Sequence, residues 1–483
     1  MRQNRARSGA LVYSARLGSS SLLCALLATT AHAGGFALIE HGASGLGNAY
    51  AGAAAVSADS STVWFNPAGM SEIKGKELSG TLHVLQSNTT WTDEGTSLGF
   101  RVGGGEVSGP DTASPGTTTL LPNVYFVAPV NSRWSYGLSI GVPFGSSTEY
   151  DPEWKGRYTT VKSGINVLDI NPAVSYRVSD KVRLGFGVSL QQLSADLGSS
   201  IDSGAVCLGL ANPDGNIDVS FNQADCANNA LVPGNQLNDS TVEIEGDSVA
   251  LGFNMGALFL PTSDIKIGIA YRHSVDHELD GEADFDVNPE LRSLLDNNSV
   301  EGTSLITQAL LTDTGATAEV ELPPMLSFSG AWQANDKVQL LSDLTWTGWS
   351  SFEELRVQFD NSPNDTVSLQ EWEDVWRFSA GLNYRHSPKL TLRAGYAFDE
   401  EAIPSAQRRT ARIPGNDRTW FTLGFGYNLT GEITLDMGYA RLFLDETPID
   451  NPNDEQEGTG TFIRGVYDSS VDILSAQLSW DFN

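Results

Sequence analysis

From residue 76 to the C-terminus this chain alternates apolar and polar residues at a period of two. It contains no apolar run near the ~20 residues that a membrane-spanning helix needs. In 182–193 Val182, Leu184, Phe186, Val188 and Leu190 stand against Arg183, Gly185, Gly187, Ser189 and Gln191. In 433–444 Ile433, Leu435, Met437 and Tyr439 oppose Thr434, Asp436, Gly438 and Ala440. The row Trp134, Tyr136, Leu138, Ile140, Val142, Phe144 and the pairing of Trp376, Phe378, Ala380, Leu382 and Tyr384 with Arg377, Ser379, Gly381, Asn383 and Arg385 repeat the pattern. Each such segment is a strand with one apolar and one polar face.

A soluble sandwich would alternate too, with its apolar rows turned onto a shared core. Two further patterns favour a barrel in a membrane. Aromatics gather near strand ends (Trp346, Trp349, Trp420, Phe421, Trp480, Phe482), as girdles at the bilayer interfaces require. Very short turns, at 130–132, 178–181, 261–264, 334–337 and 428–432, also alternate with long polar segments near 92–116, 198–240, 281–315, 400–416 and 445–466. Candidate strands fall near 76–91, 117–130, 132–147, 156–177, 181–197, 241–260, 264–280, 316–333, 336–360, 372–386, 389–399, 417–429, 431–444 and 467–482. The expected fold is therefore all-β: a transmembrane antiparallel β-barrel of about 14 strands, an even number as bacterial single-chain barrels have. The last strand carries Trp480 and Phe482 but ends on Asn483, one residue past the usual terminal aromatic.

Residues 1–33 have the three parts of a secretory signal. Arg2, Arg5, Arg7 and Arg16 are unaccompanied by acids, 17–30 is a short apolar stretch, and Ala31-His32-Ala33 is a cleavage site, which makes Gly34 the first mature residue. The whole chain carries 59 acidic against 29 basic residues, and the leader removes four of the latter. So acidic a surface repels nucleic acid. Its acidic loops are either solvated faces or places that recruit divalent cations beside anionic lipopolysaccharide. Cys24 leaves with the leader. Cys207 and Cys226 remain in one polar segment of an exported protein, where disulfides persist, and are expected to pair. They lack the further Cys or His that a zinc site needs, and no metal or other cofactor is expected. Residues 289–313 hold one or two short amphipathic helices with Leu291, Leu294, Leu295, Leu305, Ile306, Leu310 and Leu311 on their apolar side. That side is open to two readings, a landing surface for apolar molecules or a packing face for other loops.

The segment from Gly34 to Met70 is rich in Gly, Ala and Ser, which bury too little apolar area to form a core alone. Its Gly-Phe-Ala-Leu at 35–38, Ser-Gly-Leu-Gly at 44–47, Ala-Tyr-Ala-Gly at 49–52 and Asn66-Pro67-Ala68 resemble the N-terminal hatch of the FadL/TodX-like family of outer-membrane transporters of long-chain fatty acids and other hydrophobic compounds. The resemblance implies three parts: signal peptide 1–33, hatch 34–75 and barrel 76–483. A barrel this wide has an open polar lumen, which the hatch would fill; Gly35, Phe36, Leu38, Asn66, Pro67 and Ala68 are its candidate gating residues.

In Gly141-Val142-Pro143-Phe144-Gly145 a proline removes a ladder donor and the glycines permit a bulge. The place matches the inward kink of the family's third strand, a lateral exit. Arg356, in the segment 345–356 that resembles the family's ninth strand, is the candidate partner of a ligand carboxylate. Arg157 is a second candidate. The stretch 397–418 also matches, with Arg409 and Arg418 read as ties between a loop and the barrel.

The resemblance implies a monomer that takes up fatty acids, in contact with outer-membrane lipid and lipopolysaccharide. The alternative cargo is an aromatic or alkane hydrocarbon, and a permanently closed structural barrel is a further class. Enzyme motifs do not complete themselves. Gly246-Asp247-Ser248-Val249 resembles an esterase nucleophile block, but none of the six histidines has an Asp three residues before it.

Overall fold

A computed structural model describes residues 35–99, 104–211, 218–300, 303–362, 365–452 and 460–482. The leader at 1–33, Gly34 and Asn483 lie outside them. Fourteen strands cross the wall. They are β1 (Lys76–Asp93), β2 (Thr118–Pro129), β3 (Trp134–Glu149), β4 (Lys162–Arg177), β5 (Val182–Ile201), β6 (Ser240–Phe259), β7 (Ile265–Arg272 continued by Val275–Asp286) and β8 (Thr314–Leu322 continued by Met325–Gln333). They continue as β9 (Val338–Thr347 and Glu354–Phe359), β10 (Thr366–Leu369 and Val375–Arg385), β11 (Leu390–Asp399), β12 (Arg418–Asn428), β13 (Ile433–Leu444) and β14 (Thr461–Phe482). Each pairs antiparallel with the next, and β1 closes on β14 from Lys76↔Phe482 to Asp93↔Gly465.

The alternation read from the sequence sorts the strand faces. On β5 Leu184 and Phe186 are 47% and 46% exposed, whereas Arg183, Ser189 and Gln191 of the alternate row are buried. The outward rows of the other strands are likewise apolar, as a lipid-facing band requires. Two features depart from expectation. Trp420 and Trp349 are fully buried, so neither belongs to a girdle. Adjacent strand residues face opposite ways, so Phe421 takes the lipid face at 54% exposure and Trp420 must point inward. Trp349 sits in a 3-10 turn (Trp349–Ser351) where β9 leaves the ladder and bends inward. The apolar row of β3 also changes face. Trp134 and Tyr136 are exposed, but Val142 and Phe144 are buried, because the strand parts from β2 after Ile140 and its register against β4 shifts between Gly141 and Phe144.

Outside the barrel, helices α1 (Ser203–Leu210), α2 (Gln223–Asn228), α3 (Pro289–Asp296) and α4 (Ser304–Ala309) form a small layer. Cys207 and Cys226 are joined in a disulfide with Cα atoms 5.9 Å apart. They share a core with Phe221, Leu231, Leu291 and Leu295. The apolar side of 289–313 therefore packs on another loop, although Ile306 remains exposed.

Candidate functional site

Residues 35–73 run through the lumen and touch strands around its circumference. The wall provides room with small residues. A Cβ on Gly185 of β5 would lie 2.2 Å from the Ala68 nitrogen, and one on Gly256 of β6 would lie 1.9 Å from Asn66 Oδ1. Asn66 is the anchor. Its Nδ2 donates to the carbonyls of Ala54 (2.6 Å) and Ala257 (3.1 Å), and its Oδ1 accepts from the Ala68 N–H (3.0 Å). Thus Asn66 caps the 3-10 helix Pro67–Glu72, which Pro67 starts at no hydrogen-bond cost, since that position has no intrahelical acceptor. Ser175 and Arg177 of β4 donate to the carbonyls of Ala68 (3.1 Å) and Ser71 (3.0 Å), and Arg183 of β5 pairs with Glu72 (3.0 Å).

The other end of the segment meets β3. The β2–β3 ladder runs only from Val124↔Ile140 to Pro129↔Ser135, so 118–123 of β2 have no partner on β3. On its other side β3 keeps β4, but Val142 and Pro143 together oppose the single residue Leu168 between Gly141↔Asp169 and Phe144↔Val167, a β-bulge. The freed half of β3 finds a new partner within the lumen. Leu38 N–H donates to the Pro143 carbonyl at 2.8 Å, Gly145 N–H donates to the Phe36 carbonyl at 2.9 Å, and Ala37 pairs with Phe144. Phe36 sits in a cage of Phe144, Trp349, Phe352 and Trp372, with ring centroids 4.7–6.1 Å from its own. Gly35, with φ +67°, passes so close to Trp349 and Trp372 that a Cβ would lie 2.5 Å from each. In the mouth left between β2 and β3, Asn123 Nδ2 donates to the Glu40 carbonyl at 2.8 Å.

A cavity of about 110 Å³ lies beside this segment. Leu38, Ile39, Trp64, Phe65, Met325 and Val375 give it apolar walls, and Arg272, Arg377, Asp343 and Asp399 give it a charged end. Trp64 is stacked on the His41 ring at 4.0 Å and has the Arg272 guanidinium carbon 3.4 Å from its centroid. Leu38, Ile39 and Phe65 also pack against Leu85, Leu121 and Val142, an apolar cluster on the inner wall at the break. Leu38 thus belongs to the cavity, the break and the N-terminal segment at once.

The structure brings Gly35, Phe36, Leu38, Asn66, Pro67 and Ala68 into contact with the wall, and the first three adjoin Pro143, Phe144 and Gly145. It does not bring Arg356 or Arg157 to the cavity. Arg356 stands on the outer half of β9 with Nε on Glu354 (2.7 Å) and Nη1 on Asp365 (2.9 Å). Arg157 is fully buried among the outer loops, bonded to Asp239 (2.6 Å), Tyr158 (2.8 Å) and the carbonyls of Ser108 (2.5 Å) and Gly234 (3.2 Å). Burial pushes the Asp239 carboxyl up to about 6 even though Arg157 and Tyr158 oppose that rise. Arg409 ties its loop through Glu401 (2.7 Å) and the Gly415 carbonyl (3.1 Å), and Arg418 lies opposite Asp399 in the β11–β12 ladder. Sequence reasoning passed over Arg272, Arg377 and Trp64. A charge in the inward row at mid-strand, as at Arg377 between Trp376 and Phe378, was the available signal.

The chain matches the model of the family described as outer membrane protein transport protein (OMPP1/FadL/TodX) over residues 24–482. Outer membrane protein P1 of Haemophilus influenzae is 30% identical over 428 residues, 86% of this chain and 87% of that relative. The long-chain fatty acid transport protein of Escherichia coli K12 is 25% identical over 423 residues, 86% and 89% of the two chains. Among solved structures, a Pseudomonas aeruginosa FadL homologue shares the fold with a TM-score of 0.78 at 24% identity, over 93% of this chain and all of that one. The Ralstonia pickettii toluene transporter TbuX shares it at 0.60 and 18%, over 92% of this chain and all of that one. A closed barrel with a lipid-facing band, a segment threaded through its lumen and a match along nearly its whole length place this chain in the OMPP1/FadL/TodX family of outer-membrane transport proteins.

Proposed function

We propose that this protein takes up long-chain fatty acids across the outer membrane, that residues 34–75 act as the hatch, and that the cargo leaves sideways between β2 and β3. The observation that carries this reading is the break at Val142-Pro143, whose freed strand is bonded to residues 36–38 instead of to β2. Movement of those residues would unseat β3 and widen the mouth. Burying one methylene stabilises by about 0.8 kcal/mol, so a chain of ~14 methylenes would forfeit about 11 kcal/mol on release into water. A route through the wall into the bilayer keeps that gain. Phe36, in its aromatic cage, is the latch at one end of the hatch, and Asn66 the anchor at the other.

A relative named a long-chain fatty acid transport protein supports the cargo class. So does the charged end of the cavity, where Arg377 keeps two nitrogens without an acceptor among the described residues. In this reading the protein works as a monomer, its wall closed by the pairing of β1 with β14. Its outward rows meet lipid and lipopolysaccharide.

The test is uptake of labelled oleate and toluene by cells carrying the protein or a variant with Val at Gly141, Pro143 and Gly145. Oleate uptake should exceed toluene uptake and should be lost in the variant. Unchanged oleate uptake in a variant that still folds and inserts would reject the lateral route.

A further inference from the structure

A row of close contacts runs from the cavity to the break in β3. At the cavity end stands Arg272 of β7. Its guanidinium carbon lies 3.4 Å from the centroid of the Trp64 ring, its Nη2 donates to the Trp64 carbonyl at 3.4 Å, and its Nη1 is 3.5 Å from the Asp169 carboxylate of β4. The Trp64 ring stacks on His41 at 4.0 Å. At the other end His41 Nδ1 lies 3.0 Å from the Tyr125 hydroxyl of β2, and a Cβ on Gly141 of β3 would lie 3.4 Å from that same nitrogen. Arg272 and Trp64 line the cavity, whereas Tyr125 and Gly141 belong to the two strands that part at the break.

The two rings in the middle of this row are fastened differently. Trp64 is in the short helix Thr62–Phe65, just before Asn66, so its backbone is held by the anchor. His41 follows the segment whose Leu38 N–H is bonded to the Pro143 carbonyl. Movement of 36–38 with β3 therefore draws on His41 and leaves Trp64 in place. Leu38, Ile39 and Phe65 line the cavity and also pack on Leu85, Leu121 and Val142 at the break. A cargo tail that goes from cavity to break thus meets this apolar wall together with a fixed indole plate.

We propose, on the uptake reading above, that Trp64 sets the width of the cargo: the indole lets an unbranched hydrocarbon chain pass and stops a tail that carries fused rings. A polymethylene chain is one carbon wide and turns about each of its bonds, so it threads past a plate. A rigid ring system as broad as the indole does not bend in this way and passes only where the indole is absent. The plate is kept from swinging aside by its contacts with the His41 ring and the Arg272 guanidinium, both of which it would have to give up. The cargo class thereby narrows to acids with plain chains.

The test is uptake, by cells carrying the full-length protein, of labelled oleate and of a dodecanoic acid that ends in pyrene. It is read as the ratio of the second to the first at equal amounts of protein in the outer membrane. Wild type should favour oleate. The ratio should rise through Trp64→Phe, Trp64→Leu and Trp64→Ala, to at least fivefold above wild type at alanine; the first two keep an apolar side chain in place, so the series does not hang on the fold of the last. A loosened hatch alone would change both uptakes together and leave the ratio as it was. A ratio within twofold of wild type in all three variants, or a wild type that takes up the pyrene acid as fast as oleate, overturns the filter and leaves fatty acid uptake standing. A wild type that takes up neither acid overturns both.

Discussion

Replacing Asn66 with alanine isolates the anchor of the N-terminal segment. The side chain is fully buried and makes three hydrogen bonds, to the carbonyls of Ala54 and Ala257 and from the Ala68 N–H. Alanine fills less space and bonds none of them, so the backbone groups of Ala54 and Ala68 are left without these partners in a site closed to water. Ala257 also lies in the β6–β7 ladder, opposite Ile269, and loses less. At about 1–3 kcal/mol for each stranded group, the variant should lose about 3–5 kcal/mol of local stability. Since 1.4 kcal/mol is tenfold, exchange of the amides at 54–72 should quicken by roughly 10²–10⁴. Hydrogen–deuterium exchange on the full chain in micelles reads this directly, with β5 and β14 as internal references whose protection should not change. Unchanged protection at 54–72, or an equal loss in the reference strands, would refute the claim that Asn66 fastens this segment independently of the wall.

Other consequences can be measured separately. Gly185→Val drives a side chain into the backbone of Pro67 and Ala68, which cannot turn aside as a flexible side chain would; the thermal unfolding temperature should fall, and a variant as stable as wild type would contradict the close approach. Arg356→Ala should leave oleate binding and uptake within twofold, because its partners Glu354 and Asp365 lie outside the cavity; a tenfold loss would return the head-group role to it. Replacing Cys207 and Cys226 with serine opens a closure of 19 residues, worth about 3 kcal/mol. The outer helical layer should then be cut faster by protease while the barrel's heat resistance stays as it was; equal digestion would show that the disulfide adds nothing there.

The wall was legible in the sequence because each strand states its own faces locally. The row Val182, Leu184, Phe186, Val188, Leu190 needs no distant partner to be read as lipid-facing. Pro143 between its glycines announced a fault in β3 for the same reason. What replaces the lost β2 partner was not legible, since the pairing of Phe36 and Leu38 with Gly145 and Pro143 joins segments more than 100 residues apart. The extra residue of the bulge shifts the strand's phase by one, which is why Phe144 continues the apolar row in the sequence yet turns inward in the fold. Trp349 and Trp420 misled because aromatic composition near a strand end does not give its register. For Arg356 the position near the end of a strand was visible, but its pairing with Asp365, away from the cavity, was not. Arg377 sat in plain view in the polar row of β10. Only its burial and two nitrogens without an acceptor among the described residues distinguish it from a solvated lumen residue.

The most direct test of the sideways route is to close the mouth reversibly where its geometry is known. A Cβ on Gly141 would lie 3.3 Å from the Asn123 Cγ, so cysteines at the two positions are within reach of a disulfide between β2 and β3. Oxidised Asn123→Cys/Gly141→Cys protein should take up no labelled oleate and should regain uptake on reduction, while wild type under the same reductant, its Cys207–Cys226 bridge opened too, should be unaffected. Equal uptake in the bridged and reduced forms would mean that cargo does not leave between these strands.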